Sequence, residues 1–240
     1  LSIAREQLSA YAEASFLPAT AIDAQPTGSG FRVTLDDGRT LEGTKLVLAF
    51  GISDILPTLP GLAERWGRTV LHCPYCHGYE FAGRRLGVLY TSPRSVHQAM
   101  LIAEWGPTTL FLDGSALPDA GLRSELAQRG VAVEPARVLS LDGDVVQPIQ
   151  VTLEGGEGAP VEALFIAAPT RLNSDVAERL GCALEEGPFG PIVRTDADRM
   201  TSVSGVYAAG DIARAPRSTT WAASDGVTAG IAVHRSLVSG

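Results

Sequence analysis

The spacing of apolar residues changes period several times along the chain, and each change marks a different element. Over residues 1–16, Ile3, Leu8 and Tyr11 fall roughly on one helical face, which predicts a helix. The period then drops to two. "FRVTL" (31–35) and "RTLEG" (39–43) read as strands, and Asp36-Asp37-Gly38 between them is a good hairpin turn. "KLVLAFG" follows as a β-rich apolar run ending at Gly51, and the Pro- and Gly-rich "ILPTLPGLAERWG" reads as a crossing between domains. "RRLGVLY" (84–90) is a buried strand by its unbroken apolar centre. A helix is predicted after it, with Ser92 as N-cap, Pro93 as first helical residue, and Val96, Met100, Leu101 and Trp105 as the buried stripe. "TTLFLDG" (108–114) completes a βαβ unit, and "GLRSELAQRG" is a second helix stopped by Gly130. "ALFIAAP" (163–169) opens the last third, followed by "IVRTD", "GVYAAGD" and a helix over about 219–237. Strands alternating with helices make the fold class α/β, with β-meanders added, and fit two nucleotide-binding (Rossmann-like) domains, the second inserted in the first.

Composition narrows the function. Hydrophobic residues make up 45% and charged residues 19%, and the net charge is −8, which argues against a nucleic-acid groove or an anionic membrane face. The longest apolar runs, "LVLAF" and "ALFIAA", are too short to span a bilayer. Three cysteines, two of them in one motif, do not make a secreted disulfide scaffold, so the expected compartment is the cytoplasm. The chain opens "LSIAREQ" without Met, which places the true N-terminus upstream and leaves a targeting segment open.

The chemistry concentrates in "HCPYCHGYE", where Cys73 and Cys76 stand between His72 and His77. Four chemistries compete. Zinc usually draws on two ligand pairs far apart in sequence, and no second Cys or His pair exists here, so no metal is expected. "CPYCH" also satisfies the haem-attachment pattern, but it sits beside a βαβ unit. Two inert packing thiols are the third reading. A redox disulfide is the favoured one. A ring closed over so few residues gains little from restricting the unfolded chain, so it reduces more easily than a long-range staple. Pro74 in a first helical turn would aim backbone N–H groups at Cys73, and either histidine could move the proton that exchange releases. Cys182 lies in no motif and reads as a packing residue.

A second signal is "GVYAAGD", where a strand runs into Gly210-Asp211 shortly before a helix. Gly permits close approach of a ligand, and the carboxylate can accept hydroxyl hydrogen bonds. With "KLVLAFG" and "LPGL" ahead of the cysteines, the order of motifs resembles the flavin-dependent thioredoxin reductase family over essentially the whole chain. That resemblance implies FAD as cofactor, with 1–67 and 161–240 forming the FAD domain and 68–160 inserted. It implies that Cys76 lies nearest the flavin and that Cys73 exchanges with substrate. It gives Asp211, with Gly210 and Ile212 beside it, to the ribityl chain, Arg217, Ser218 and Thr219 to the flavin, and Gly51 to the loop near the adenine side. Homodimers are usual in the family.

Three departures qualify the resemblance. No Gly-x-Gly-x-x-Gly follows a strand and opens a helix, neither in "TGSGFRV" nor in "GGEGAP", so the opening βα unit is expected upstream. Between "RRLGVLY" and its helix, "TSPRS" holds no Gly, and the next strand ends in Asp113, which repels a 2′-phosphate but could accept a ribose hydroxyl; both argue against NADPH. His77 stands where thioredoxin reductases carry Asp, which resembles the dithiol oxidases that close disulfides in gliotoxin-type small molecules. The expected function is therefore an FAD-dependent disulfide oxidoreductase that exchanges two electrons with a protein or small-molecule dithiol or disulfide through Cys73–Cys76. An oxygen-dependent dithiol oxidase not using NADPH is the alternative, and a non-catalytic, degenerate flavoprotein-like module is the alternative of another class.

Overall fold

The computed structural model describes residues 2–239 apart from 117, 118, 146, 147, 159 and 216. Leu1, where the first predicted helix begins, Ala159 within "GGEGAP" and the terminal Gly240 lie outside the described residues. The chain divides into a central unit, Asp54–Thr170, and an outer unit made of Leu1–Ser53 and Arg171–Gly240. Among the described residues no helix is long and apolar enough to cross a membrane.

The central unit is built on a five-stranded sheet in the order Val70–Leu71, Ala163–Ile166, Leu86–Leu89, Thr108–Phe111, Ala132–Glu134, with every pair parallel. Parallel sheets need both faces covered, which explains why Leu86–Leu89 and Ala163–Ile166 are buried at all four positions. Successive side chains go to opposite cores. Ala163 and Phe165 join Leu86, Val88, Leu110 and the helix residues Val96, Ala99 and Ile102. Leu164 and Ile166 join Phe111, Leu141, Ile149 and Val151; Leu141 and Val151 come from an antiparallel sheet over Val138–Asp142, Gln150–Leu153 and Gly156–Glu157, and Ile149 from the residue just before its second strand.

The predicted βαβ unit is present, with Arg94–Ile102 as its helix, but its register differs from the sequence reading. Pro93 is the N-cap, and no side chain caps that end. Ser95, Val96, Gln98, Ala99 and Ile102 are the buried residues, while Met100 and Trp105 pack only partly buried at the edge of the core. Small Ala99 and branched Ile102 suit the close helix–sheet contact better than the long chains predicted for it. "ALFIAAP", which reads in sequence as the start of the last third, supplies a central strand of this sheet. The unit boundaries accordingly fall at 53/54 and 170/171.

In the outer unit, Ala21–Pro26, Phe31–Leu35 and Thr40–Gly43 form the antiparallel meander, with Gly38 at φ 84° in the predicted turn. Leu46–Leu48 pairs in parallel with Val206–Ala208. Thr219–Val238 forms the last helix, and the predicted first helix is shortened to Ser2–Leu8. Ile3, Leu8 and Tyr11 are exposed rather than forming a buried stripe, and the Ser9 hydroxyl bonds to the Arg5 carbonyl at the helix end. Cys182 is buried in the core of this unit, and burial pushes its thiol pKa up, as suits a packing residue.

A charged group lies inside the outer unit. Asp225, on the last helix, is 1% exposed. Its Oδ2 accepts the Gly210 N–H at 3.3 Å and Arg214 Nε at 2.9 Å, and its Oδ1 accepts Arg214 Nη2 at 2.6 Å. Arg199 Nε lies 3.2 Å from Oδ1 as a close ion pair. Arg199 sits at φ 65°, a left-handed conformation unusual for a residue with a side chain, and its carbonyl accepts the Ala208 N–H. Hydrogen bonds to charged groups contribute about 1.5–3 kcal/mol each, against ~0–1 kcal/mol for exposed ion pairs, so this cluster outweighs the surface pairs of the chain.

Hydrogen bonding from Arg214 holds the Asp225 carboxyl below its ordinary value of 3.8. A carboxyl with a depressed folded-state pKa adds stability that is complete above the unfolded value and disappears as pH falls through the folded one. Asp225→Asn is therefore expected to melt lower than the native chain at pH 7 and to lose less on acidification from pH 7 to about pH 3. Melting temperature measured across that range checks this; equal acid losses in the two proteins would contradict it.

Candidate active site

Cys73 and Cys76 are bonded to each other, with Cα atoms 5.3 Å apart. The pair stands on a single helical turn, Pro74–His77, with Cys73 as its N-cap and Pro74 in the first turn as the sequence predicts. Cys73 Sγ accepts the Cys76 backbone N–H at 3.1 Å. That donor favours negative charge on Cys73 when the bond opens. Cys76 is the more exposed of the two and Cys73 is half-buried.

The neighbours fix this turn. His77 Nδ1 lies 3.2 Å from Glu80 Oε2, which orients the ring and leaves Nε2 for proton transfer. Gly78 is buried, and a Cβ there would fall 2.5 Å from Trp105 Nε1, so only glycine lets the chain turn against the indole. Gln98, 8% exposed, donates from Nε2 to the His72 carbonyl at 2.8 Å and ties the βαβ helix to the residue preceding Cys73. His72 itself is half-buried.

The helix that opens after "TSPRS" shows what replaced a phosphate loop. Ser95 is fully buried, and its Oγ accepts the N–H groups of Thr91 at 3.0 Å and Ser92 at 3.4 Å. The Thr91 hydroxyl bonds to the Ala167 carbonyl. Backbone N–H groups in the turn between such a strand and its helix can serve a pyrophosphate, and here two that precede the helix are taken by a side chain of its first turn. Asp113, at the end of the next strand, has φ 49° and accepts the Val138 N–H at 2.9 Å, which makes it a turn residue with one carboxylate oxygen already engaged.

The remaining predicted residues lie in the outer unit. Gly51 and Gly210 follow the parallel strands Leu46–Leu48 and Val206–Ala208 at their carboxyl ends, at φ 70° and 80°. The Gly51 carbonyl accepts the Asn173 N–H. Asp211 is half-buried on the turn Gly210–Ala213. Ile212 is fully buried in the core, so only its backbone can meet a ligand. Arg217 lies over the Phe189 ring at 5.5 Å. The Ser218 hydroxyl caps the last helix by accepting the Trp221 N–H, and Thr219 is exposed at its first turn. A groove of about 830 Å³ runs beside Leu46–Leu48 and reaches Phe50, next to Gly51. Carboxyl ends of parallel strands, a glycine that admits close approach and a half-exposed carboxylate fit the hydroxylated chain of a flavin. A Gly-x-Gly-x-x-Gly cradle for its pyrophosphate has no counterpart among the described residues. The structure thus gathers Cys73, Cys76, His77 and His72 in the central unit, and Gly51, Gly210, Asp211, Ile212, Arg217, Ser218 and Thr219 in the outer one. Sequence reasoning missed Ser95, Gln98, Glu80 and Asp225; of these only Glu80, three residues from His77, carries a local signal.

Comparison with known proteins places the chain in a family. The family profile described as pyridine nucleotide-disulphide oxidoreductase matches residues 13–226. The chain is 33% identical to the thioredoxin reductase sirT of Leptosphaeria maculans over 223 residues, covering 86% of this chain and 67% of that protein. It is also 33% identical to the thioredoxin reductase tcpT of Claviceps purpurea (strain 20.1), over 75% of this chain and 58% of the relative. The chain therefore spans about six-tenths to two-thirds of the length of these two curated relatives. Among solved structures, an oxidoreductase from Agrobacterium tumefaciens superposes with a TM-score of 0.92 at 40% identity, over 99% of this chain and 79% of that one. The crystal structure of HlmI superposes with a TM-score of 0.90 at 34% identity, over 99% and 74%. With a family match across most of its length and a relative above 30% identity, the chain belongs to the pyridine nucleotide-disulphide oxidoreductase family.

Proposed function

We propose that the protein is an FAD-dependent, thioredoxin reductase-like disulfide oxidoreductase that exchanges two electrons with a dithiol or disulfide through Cys73 and Cys76. The observation that carries this reading is the bonded pair itself, with the Cys76 N–H aimed at Cys73 Sγ. In the direction of dithiol oxidation, a substrate thiolate attacks Cys73 Sγ, the Cys73–Cys76 bond breaks, and Cys76 leaves as thiolate. The second substrate thiolate then attacks the substrate sulfur of the mixed disulfide. Cys73 leaves as thiolate, held by the Cys76 N–H, and the substrate departs as disulfide. His77, its Nδ1 against Glu80, takes up a released thiol proton at Nε2. Bound FAD would supply the two-electron acceptor for the dithiol so formed. Gly51, Gly210, Asp211 and the backbone of Ile212, with Arg217, Ser218 and Thr219, are the residues we assign to hold it. Run in reverse, the same exchange reduces a disulfide.

Ser95 and Asp113 favour one direction. With two N–H donors of the turn before the helix engaged by Ser95 and Asp113 committed to Val138, a nicotinamide dinucleotide has a poor seat in the central unit. This supports the second reading, a dithiol oxidase whose electrons enter from a small dithiol and leave to oxygen. The reading extends to a homodimer, the usual state of the family the sequence resembles, and to a cytoplasmic setting.

Two results are expected. Mixed anaerobically with the full-length, FAD-loaded protein, a small dithiol should bleach the flavin faster than NADH or NADPH. Rapid bleaching by stoichiometric NADPH would overturn the oxidase direction, and no bleaching by any donor would favour a non-catalytic module. In Cys76→Ser the backbone N–H persists, so Cys73 should be alkylated by iodoacetamide at pH 6.5 faster than Cys76 is in Cys73→Ser, by roughly several-fold. Equal rates would remove the proposed role of that N–H.

A further inference from the structure

We propose that Asp225 is a positioning residue for the cofactor end of the outer unit, acting through the Gly210 amide and Arg214 to hold the turn that presents Asp211. The inference rests on the reading that Asp211 meets FAD.

Gly210 stands at φ 80°, and its N–H donates to Asp225 Oδ2. That bond fixes the Ala209–Gly210 peptide plane, the one from which the left-handed Gly210 turns the chain toward Asp211. Arg214, just past the Gly210–Ala213 turn, closes its far end on both oxygens of the same carboxylate. One side chain thus fastens the turn at its first N–H and at the residue that follows it. Arg199 adds a third attachment, from the left-handed residue whose carbonyl accepts the Ala208 N–H on the strand leading into the turn. A carboxylate 1% exposed is costly to bury unless it is paired, and here every charged partner belongs to the segments flanking Asp211. Asp225 is thus tied to both sides of the proposed ribityl contact while its own carboxylate is fully occupied and closed to solvent. That separates a positioning role from direct binding.

The test uses the full-length protein with FAD and three variants, Asp225→Asn, Arg214→Met and Asp211→Asn. The readouts are the FAD dissociation constant and the visible circular dichroism of the flavin at saturation. Asp225→Asn and Arg214→Met should each weaken FAD binding by about ten-fold or more and change the dichroism of the bound flavin, with Arg214→Lys recovering part of both. Alkylation of the reduced Cys73–Cys76 pair should be unaffected. Wild-type affinity and dichroism in either folded variant would overturn the proposal, as would weaker binding with an unchanged spectrum, the mark of a purely structural role. If Asp225→Asn does not fold, Arg214→Met, altered at a partly exposed side chain, carries the same expectation and the same refutation. If Asp211→Asn leaves affinity unchanged, the flavin reading of Asp211 falls; if Asp211→Asn weakens binding while the other two do not, only the positioning role falls.

Discussion

A single backbone N–H, that of Cys76, gives the two sulfurs different chemistry. It donates to Cys73 Sγ, so one end of the bond is prepared to carry charge while the other is the more open to its surroundings. That donor exists only because the chain makes a helical turn at once after Cys73, and Pro74 starts that turn without losing a hydrogen bond. The turn in turn needs a floor. Gly78 lets the backbone lie against Trp105, and Gln98 fastens the approach to Cys73 from the βαβ helix. A motif of four residues is therefore held by a sheet, a helix and an indole far from it in sequence.

The central unit keeps the frame of a nucleotide-binding domain and reassigns its polar groups. The parallel sheet and its crossover helix are intact. In the turn between strand and helix, where such a frame offers N–H donors to phosphate, the Ser95 hydroxyl takes two of them. At the end of the next strand, Asp113 bonds to Val138. Neither contact disturbs the sheet, whose strands stay parallel throughout. The outer unit shows the opposite case. There a buried carboxylate, Asp225, ties together the segments around Gly210.

Much of this was legible in the sequence, for reasons of range. The Cys-x-x-Cys turn, the Asp36–Gly38 hairpin, the βαβ unit and the last helix depend on neighbours within a few residues, and their patterns survive in one dimension. The absence of glycine in "TSPRS" was also visible, but what occupied the donors was not, because a serine in a helix's first turn carries no mark of bonding backward. Asp225 reads as one more polar residue in a helix; only its meeting with Arg214, Arg199 and Gly210 makes it central. The place of Ala163–Ile166 was hidden for the same reason. An apolar strand announces burial, yet pairing with Val70–Leu71 and Leu86–Leu89 is a long-range fact. Ile3, Leu8 and Tyr11 show the converse error, since apolar spacing predicted a buried face and these side chains are exposed.

The central claim is that the Cys73–Cys76 bond is a working electron store coupled to flavin. A reductive titration of the full-length, FAD-loaded protein under anaerobic conditions tests it most directly. The account predicts uptake of two electrons by the flavin and two more by the disulfide, with two alkylatable thiols appearing at Cys73 and Cys76 at the end point. Uptake that stops with the flavin, leaving both cysteines closed to alkylation, would contradict it.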